Sequence, residues 1–447
     1  MPSKLETLSQ KAAEIILSHP KSKKIRVISH YDADGITAAA IICKALFRKG
    51  YDFHASLMRN PFIQGLKRVD EKEDNELIIF TDLGSGQIDF IEKMDSQSII
   101  IDHHQIVKKE TQKNVLQLNA NLSGINGNYG GCGASMAFMV AKALDKKNFD
   151  LGALALTGAT GDKQYIGGYT ELNKKILQES LENKLIEEKT GIKLPGNTIF
   201  DSLYYSIDPY YPGISGNKEE IKKSLNKIGI NPDSSYDKLK PKEKKEINSF
   251  LMFKLIKKGC EKNILDTVVR KRFYYKKFNC ELEHLADILD ACGKGGERGL
   301  ALSVALGDKD SFNKGLGKEK EFKKEVLNQL LKLEKNGAEE KDFFRYFYSD
   351  KSSMTGVVAG IAANFIFDKQ KPLLSIVRRN DEIHVSSRGN QHLVKNGLDL
   401  GSAMKKASAK LGGQGGGHQI AAGATVPSKK EKEFLDAVNN ILSNQIK

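Results

Sequence analysis

Leu5, Leu8, Ala12, Ile15 and Ile16 fall on one face of a 3.6-residue spiral, so the spacing predicts a helix over residues 5–18, stopped by Pro20. Beyond it the texture changes. Residues 25–29, 76–81 and 98–102 are short apolar runs of strand length, and residues 36–48, 134–144 and 151–159 carry helical spacing. Such alternation predicts an α/β fold with a parallel sheet wrapped by helices.

From about residue 174 to 277 the chain turns Lys-rich and helix-forming, interrupted by Asp208-Pro209-Tyr210-Tyr211-Pro212-Gly213 and Asn231-Pro232-Asp233. This is the pattern of a helical connector. Its charge runs, such as residues 238–245, read as solvated helix faces. A second globular unit begins near Cys280, with a helix over 282–292, a Gly-rich stretch at 293–299 and a long amphipathic helix over 320–335. Residues 373–378 and 382–387 read as a hairpin turning at Asn380-Asp381, and a Gly-rich run at 412–418 precedes one last helix. The expected domains are therefore 1–173, 174–279 and 280–447.

Composition narrows the partner more than the fold. Of the 447 residues, 40% are hydrophobic and 28% charged, values of an ordinary globular chain, which excludes wholesale disorder. A net charge of +14 favours a polyanion, nucleic acid or an anionic surface. No apolar run reaches the roughly 18 to 20 residues of a membrane-crossing helix, so no membrane role is expected. The start, Met1-Pro2-Ser3-Lys4-Leu5-Glu6, lacks the apolar core of a signal peptide, and the expected location is cytoplasmic. Cys43, Cys132, Cys260, Cys280 and Cys292 are scattered without a CxxC pair, which argues against a disulfide framework or zinc knot.

Candidate chemistry concentrates in four short segments. These are Ser29-His30-Tyr31-Asp32-Ala33-Asp34-Gly35, Thr81-Asp82-Leu83-Gly84, Ile101-Asp102-His103-His104-Gln105 and Gly158-Ala159-Thr160-Gly161-Asp162. Three of them close an apolar run, at the carboxyl edge where open α/β sheets place their ligands. His30, Asp32 and Asp34 are spaced by two, so on an extended segment they project to one side. Asp162 follows an apolar helix and would close the ring from the other side. Carboxylates mixed with imidazoles suit two Mn²⁺ ions, with Mg²⁺ as the alternative. Two such ions activate a water and neutralise phosphate charge, which makes phosphodiester hydrolysis the natural chemistry.

In order and spacing, these segments resemble motifs I to IV of the DHH phosphoesterase superfamily, named for the triplet Asp102-His103-His104. Gly415-Gly416-Gly417-His418 resembles the hallmark of its partner DHHA1 domain. Within the superfamily the chain is most similar to archaeal RecJ-like nucleases, through Asn121, the Gly130-Gly131-Cys132-Gly133-Ala134 turn, the segment Asp208 to Gly216, and Leu285-Ala286-Asp287 with Ala291-Cys292-Gly293. The resemblance implies a parallel-sheet DHH domain, the Lys-rich connector and a smaller α/β DHHA1 domain, with the active-site cleft between the two globular units. It implies that His30 and Asp32 hold one metal, that Asp34, His103 and Asp162 hold the other, and that Asp82 bridges them. Asp102 would orient a histidine and His104 would contact the scissile phosphate. Ser387, Arg388, Gly415, Gly416, Gly417 and His418 would grip substrate phosphate, Arg388 as a planar guanidinium fork.

The expected function is a RecJ-like exonuclease releasing mononucleotides from single-stranded DNA, with RNA open, in replication or repair. Bacterial RecJ enzymes carry an additional OB-fold domain, whereas this sequence closes soon after its Gly-rich run, so a reduced or differently placed strand grip is expected. Two alternatives stay open: an oligoribonuclease or small-nucleotide phosphodiesterase, and a replisome scaffold associated with GINS-type proteins and the replicative helicase.

Overall fold

Alternate residues of the central strands serve two cores, which is why their apolar runs are unbroken. Val27, Ile79, Ile99 and Ile101 join one buried cluster with residues of the flanking helices. Ile28, Ile78, Phe80 and Ile100 join another on the opposite face. The computed structural model describes residues 3–59, 63–70, 77–194, 196, 198–266, 268–351 and 354–446. The chain divides into two compact units, one formed by Met1–Gly191 with Lys271–Glu319, the other by Ile192–Arg270 with Lys320–Lys447. Of the Lys-rich segment, residues 174–191 and 271–279 fall in the first unit and 192–270 in the second.

The first unit is built on a parallel sheet of β1 (Ile25–His30), β2 (Phe53–Met58), β3 (Leu77–Thr81), β4 (Gln97–Asp102) and β5 (Val115–Asn119), in the order β2-β1-β3-β4-β5. The three strands expected from apolar runs are its centre; Glu76, the expected first residue of the second run, lies outside the described residues. Both edge strands escape the apolar-run criterion. β2 is largely half-exposed, and β5 carries Gln117 and Asn119 among its apolar residues. Helices Lys4–Ser18, Ala33–Arg48, Gly133–Leu144 and Gly152–Gly161 match the expected helical stretches, with small shifts at their starts.

In the second unit a six-stranded mixed sheet runs in the order Gln414–Gly417, Ala421–Pro427, Glu382–Arg388, Leu373–Arg379, Arg345–Tyr348, Glu339–Glu340. The expected hairpin is present, with Leu373 opposite Arg388 and Arg379 opposite Glu382. Its turn residue Asn380 sits at φ 54°, a left-handed conformation that Asn tolerates. Phe344, Ile376, Val385, Met404, Val426 and Phe434 pack the core between this sheet and its helices. The amphipathic helix expected over 320–335 is longer than its pattern, Lys309–Asn336. All five cysteines are free and buried. Among the described residues, no helix is long and apolar enough to cross a membrane.

Candidate metal centre

β1 ends at His30, and the following helix begins sooner than the apolar pattern indicates because Asp32 caps it. The Asp32 carboxylate accepts a hydrogen bond from Gly35 N at 3.1 Å. Asp34 therefore lies in the first helical turn, and the expected extended segment with three residues on one side is corrected. A strand end joined to a helix start brings His30, Asp32 and Asp34 together instead. Asp82 follows β3 at φ 57°, a left-handed position that Asp accepts more readily than most side chains. Asp102 ends β4, with His103 and His104 directly after it, and Asp162 caps the end of helix Gly152–Gly161. β1 and β3 are neighbours across the point where the strand order reverses, the usual ligand position in open α/β sheets.

Among the described residues three groups of three possible ligands result, His30 with Asp32 and Asp82, Asp34 with His103 and Asp162, and Asp82 with His103 and His104, each with its ligand atoms within 4.8 Å of one another. Asp82 lies between the first two. Its Oδ2 is 3.6 Å from His30 Nδ1 and its Oδ1 is 3.2 Å from His103 Nε2. His103 Nε2 also faces Asp162 Oδ2 at 3.3 Å and Asp34 Oδ2 at 3.6 Å. The six residues expected as ligands thus converge at one sheet edge. His104 comes within 3.8 Å of Asp82 too, but that same Nδ1 is 2.8 Å from Asp102 Oδ1, so Asp102 holds the ring of His104 rather than that of His103.

The ligands are held by groups the sequence motifs do not announce. His103 Nδ1 donates to Gly127 O at 2.6 Å, and His30 Nε2 donates to Arg59 O at 3.1 Å, so each ring turns its other nitrogen toward the carboxylates. Asp34 is gripped through both oxygens by backbone N–H groups at the start of helix Gly133–Leu144, Gly133 N at 2.7 Å and Ala134 N at 2.8 Å. Only glycine fits at position 133, because a Cβ there would stand 2.6 Å from Asp82 Cβ. Asn121 donates to His103 O at 2.9 Å, and Asn119 donates to His104 O at 3.0 Å. The Gly130 to Ala134 turn and Asn121 stand out in the sequence only by resemblance. Their role as props for Asp34 and His103 emerges from the fold.

Protonation shows what the cluster lacks. Burial, with the charges of Asp82 and Asp162, pushes the Asp34 carboxyl well up. Burial, helped by Asp82 and Asp32 and opposed by His103, pushes Asp162 up to about 7. Burial disfavours charge on His30 and His103, but the neighbouring carboxylates outweigh it and hold both imidazoles well above their ordinary range. Asp34 and the two imidazoles thus retain protons at neutral pH, Asp162 in part, while Asp32 and Asp82 are held below the ordinary carboxylate range. His30 Nδ1 and Asp82 Oδ1 are buried, the first facing Asp32 Oδ2 at 2.8 Å and the second facing His103 Nε2 at 3.2 Å. Carboxylates crowded around one another and protons retained between them and the rings are the conditions a divalent cation relieves, and the mixed N/O donor set fits Mn²⁺ or Mg²⁺.

In the second unit, Arg388 ends strand Glu382–Arg388 opposite Ala421, next to the pairing of Gly417 with Ala422. Its guanidinium lies over Gly356, and Nη1 donates to Ser387 O at 2.9 Å. Gly415, Gly416 and Gly417 form an outer strand of the sheet, and His418 N donates to Ala421 O at 2.8 Å. The sheet places Arg388, Gly417 and His418 together. Ser387 is the exception and corrects the expectation: it is fully buried, and its hydroxyl donates to Ala422 O at 3.0 Å. Successive strand residues face opposite ways, so Ser387 points into the fold where Arg388 does not.

Residues 24–159 match the DHH family, N-terminal domain, residues 344–444 match the DHHA1 domain, and residues 167–304 match archaeal Cdc45. The chain is a member of the DHH/DHHA1 family. A relative from Methanocaldococcus jannaschii, described as uncharacterized, is 30% identical over 452 residues, covering 99% of this chain and 98% of the relative. The fold of this DHH/DHHA1 chain is also that of RecJ from Thermus thermophilus solved with Mn²⁺, at TM-score 0.61 and 17% identity over 99% of this chain and 55% of RecJ. The chain thus spans about half the length of that RecJ. CDC45 from Entamoeba histolytica aligns at TM-score 0.67 and 14% identity, over 98% of both chains.

Proposed function

We propose that this chain is a divalent-metal-dependent exonuclease that hydrolyses phosphodiester bonds in single-stranded nucleic acid to mononucleotides, with DNA favoured over RNA. One observation carries the reading: two three-ligand groups, His30-Asp32-Asp82 and Asp34-His103-Asp162, meet at the switch point of the sheet with Asp82 facing His103. When bound, two divalent ions supply an activated water and neutralise charge on the scissile phosphate. His30, Asp32 and Asp82 would hold one ion, Asp34, His103 and Asp162 the other. His104, its Nδ1 fixed by Asp102, would contact the scissile phosphate. Arg388, with the backbone of Gly415 to Gly417 and with His418, supplies the phosphate contacts of the second unit. The net charge of +14 supports a polyanionic substrate.

The test is product analysis on 5′- and 3′-labelled DNA and RNA strands with Mn²⁺ and with Mg²⁺, alongside Asp34→Ala and Asp82→Ala. Mononucleotide release that both substitutions abolish is expected; undiminished cleavage in either variant would sink the assignment. Turnover of a dinucleotide faster than of a long strand would replace the exonuclease by a small-nucleotide phosphodiesterase.

The match of residues 167–304 to archaeal Cdc45 favours a second, compatible role as a replisome component bound to GINS-type proteins. A purely scaffolding chain has no use for six convergent ligands, which is why the enzymatic reading stands first. Co-purification of replication proteins with the tagged chain from native extract tests the second role.

A further inference from the structure

The turn that carries His30 and Asp32 is clamped by a helix that arrives much later in the chain. Helix Leu282–Lys294 belongs to the first unit and buries Leu285, Ile288, Leu289 and Cys292 in its core. Its Asp290 Oδ1 accepts a hydrogen bond from Ala33 N at 2.7 Å across a separation of 257 residues. Ala33 is the first residue of the ligand-bearing helix, so its N–H has no partner within that helix. Asp32 satisfies the third N–H of the same turn, that of Gly35. The two carboxylates share one helix start.

Two further contacts make this a built device. At Gly293 the helix backbone touches the turn: a Cβ there would stand 1.9 Å from Tyr31 O, so no other residue fits without pushing the turn away. Lys294 Nζ donates to Asp290 Oδ2. A second carboxylate beside Asp32 would repel it, but the Lys294 ammonium offsets that charge and lies close enough to both to act on Asp32 as well. Asp290 thereby adds an acceptor at the turn without adding net negative charge to the metal centre.

We infer that Asp290 is a positioning residue for the His30, Asp32 and Asp82 group, fixing the 31–33 turn so that this group binds its divalent ion tightly while Asp290 itself touches no metal. The inference rests on the metal-dependent reading above. It goes beyond that reading by making one of the two sites depend on residues outside every ligand motif. Partners of metal ligands typically contribute about 10- to 100-fold in affinity, which sets the size of the effect.

The experiment is Mn²⁺ binding to the full chain by calorimetry and by electron paramagnetic resonance, for wild type, Asp290→Ala, Asp290→Asn and Gly293→Ala. Circular dichroism accompanies each variant. In Asp290→Ala one of two sites is expected to weaken by about 10- to 100-fold, the other by less than about threefold. Asp290→Asn keeps an acceptor oxygen and is expected to stay within about threefold of wild type, while Gly293→Ala weakens the same site as Asp290→Ala. At saturating Mn²⁺, turnover by Asp290→Ala recovers. Unchanged binding at both sites in a folded Asp290→Ala chain would overturn the inference. So would equal loss at both sites, or an Asp290→Asn chain as weak as the alanine variant. Wild type that binds no Mn²⁺ overturns the metal-dependent reading itself, an outcome distinct from all of these.

Discussion

Without a cation, the first unit should lose stability as the pH rises through neutrality, and a divalent ion should cancel the loss. Asp162 is held up to about 7 in the fold, against an ordinary carboxylate value near 4. Across the interval between them the folded chain binds more protons than the unfolded chain, so the free energy of unfolding falls as the pH climbs. The raised Asp34 carboxyl acts in the same direction. His30 and His103 do too, since the stability they contribute is complete below their unfolded values and is lost as the pH passes their raised folded values. Asp32, Asp82 and Asp102 are depressed; their contribution is present above about pH 4 and falls away only in acid, outside this window.

For Asp162 alone, about three pH units at about 1.4 kcal/mol each set a ceiling near 4 kcal/mol, and with its side chain 24% exposed about 2 kcal/mol is a realistic share. In a unit of about 240 residues that corresponds to roughly 4–8 °C of melting temperature. Melting followed by fluorescence between about pH 4.5 and pH 8, in EDTA and in Mn²⁺, measures it. Titration of Mn²⁺ in buffers of different ionisation enthalpy counts the protons released. A melting temperature in EDTA that is flat or rises with pH, or Mn²⁺ stabilisation that does not grow with pH, would refute the reasoning.

Gly133→Ala drives a methyl group against Asp82 and should lower Mn²⁺ affinity and turnover by at least about tenfold, with an unchanged circular dichroism spectrum. Asp102→Ala removes the acceptor shared by His104 Nδ1 and the backbone N–H groups of His103 and His104. We expect kcat to fall about a hundredfold in steady-state assays, while Mn²⁺ affinity changes by less than about threefold. Arg388→Ala should raise KM for a single strand about tenfold and flatten its salt dependence by about one charge. Ser387→Ala, by contrast, should leave KM alone and cost about 1 kcal/mol in denaturant unfolding, through loss of its bond to Ala422 O.

What the sequence makes legible follows from how locally each feature is determined. β1, β3 and β4 are covered on both faces, so the run 77–81 and its counterparts stand out as unbroken apolar stretches. β2 and β5 are the sheet's two edges; the half-exposed residues of β2 blend with loops, and Gln117 and Asn119 break the apolar run of β5. The six ligands are legible because they sit at strand and helix ends, where a short motif records them. Their props are not. Gly127 O, Arg59 O and Asp290 act through the backbone or across long separations, and none leaves a mark on neighbouring residues. The even spacing places Asp34 on an extended segment, but the capping role of Asp32 starts the helix early and overrides it. Ser387 misleads because adjacency in a strand means opposite faces, so a neighbour of Arg388 is the residue least able to share its ligand.

Helix Leu282–Lys294 also gives the metal centre a history within each round of synthesis. All six ligands have been translated by residue 162, yet the acceptor for Ala33 N comes 257 residues after its donor. At roughly 5 to 20 residues per second, a nascent chain spends about 6 to 26 seconds with its ligands made and its turn unclamped. A ribosome-bound chain stopped before residue 282 should therefore hold divalent ions more loosely than the finished protein. Competence would arrive late and in one step, when the returning helix docks.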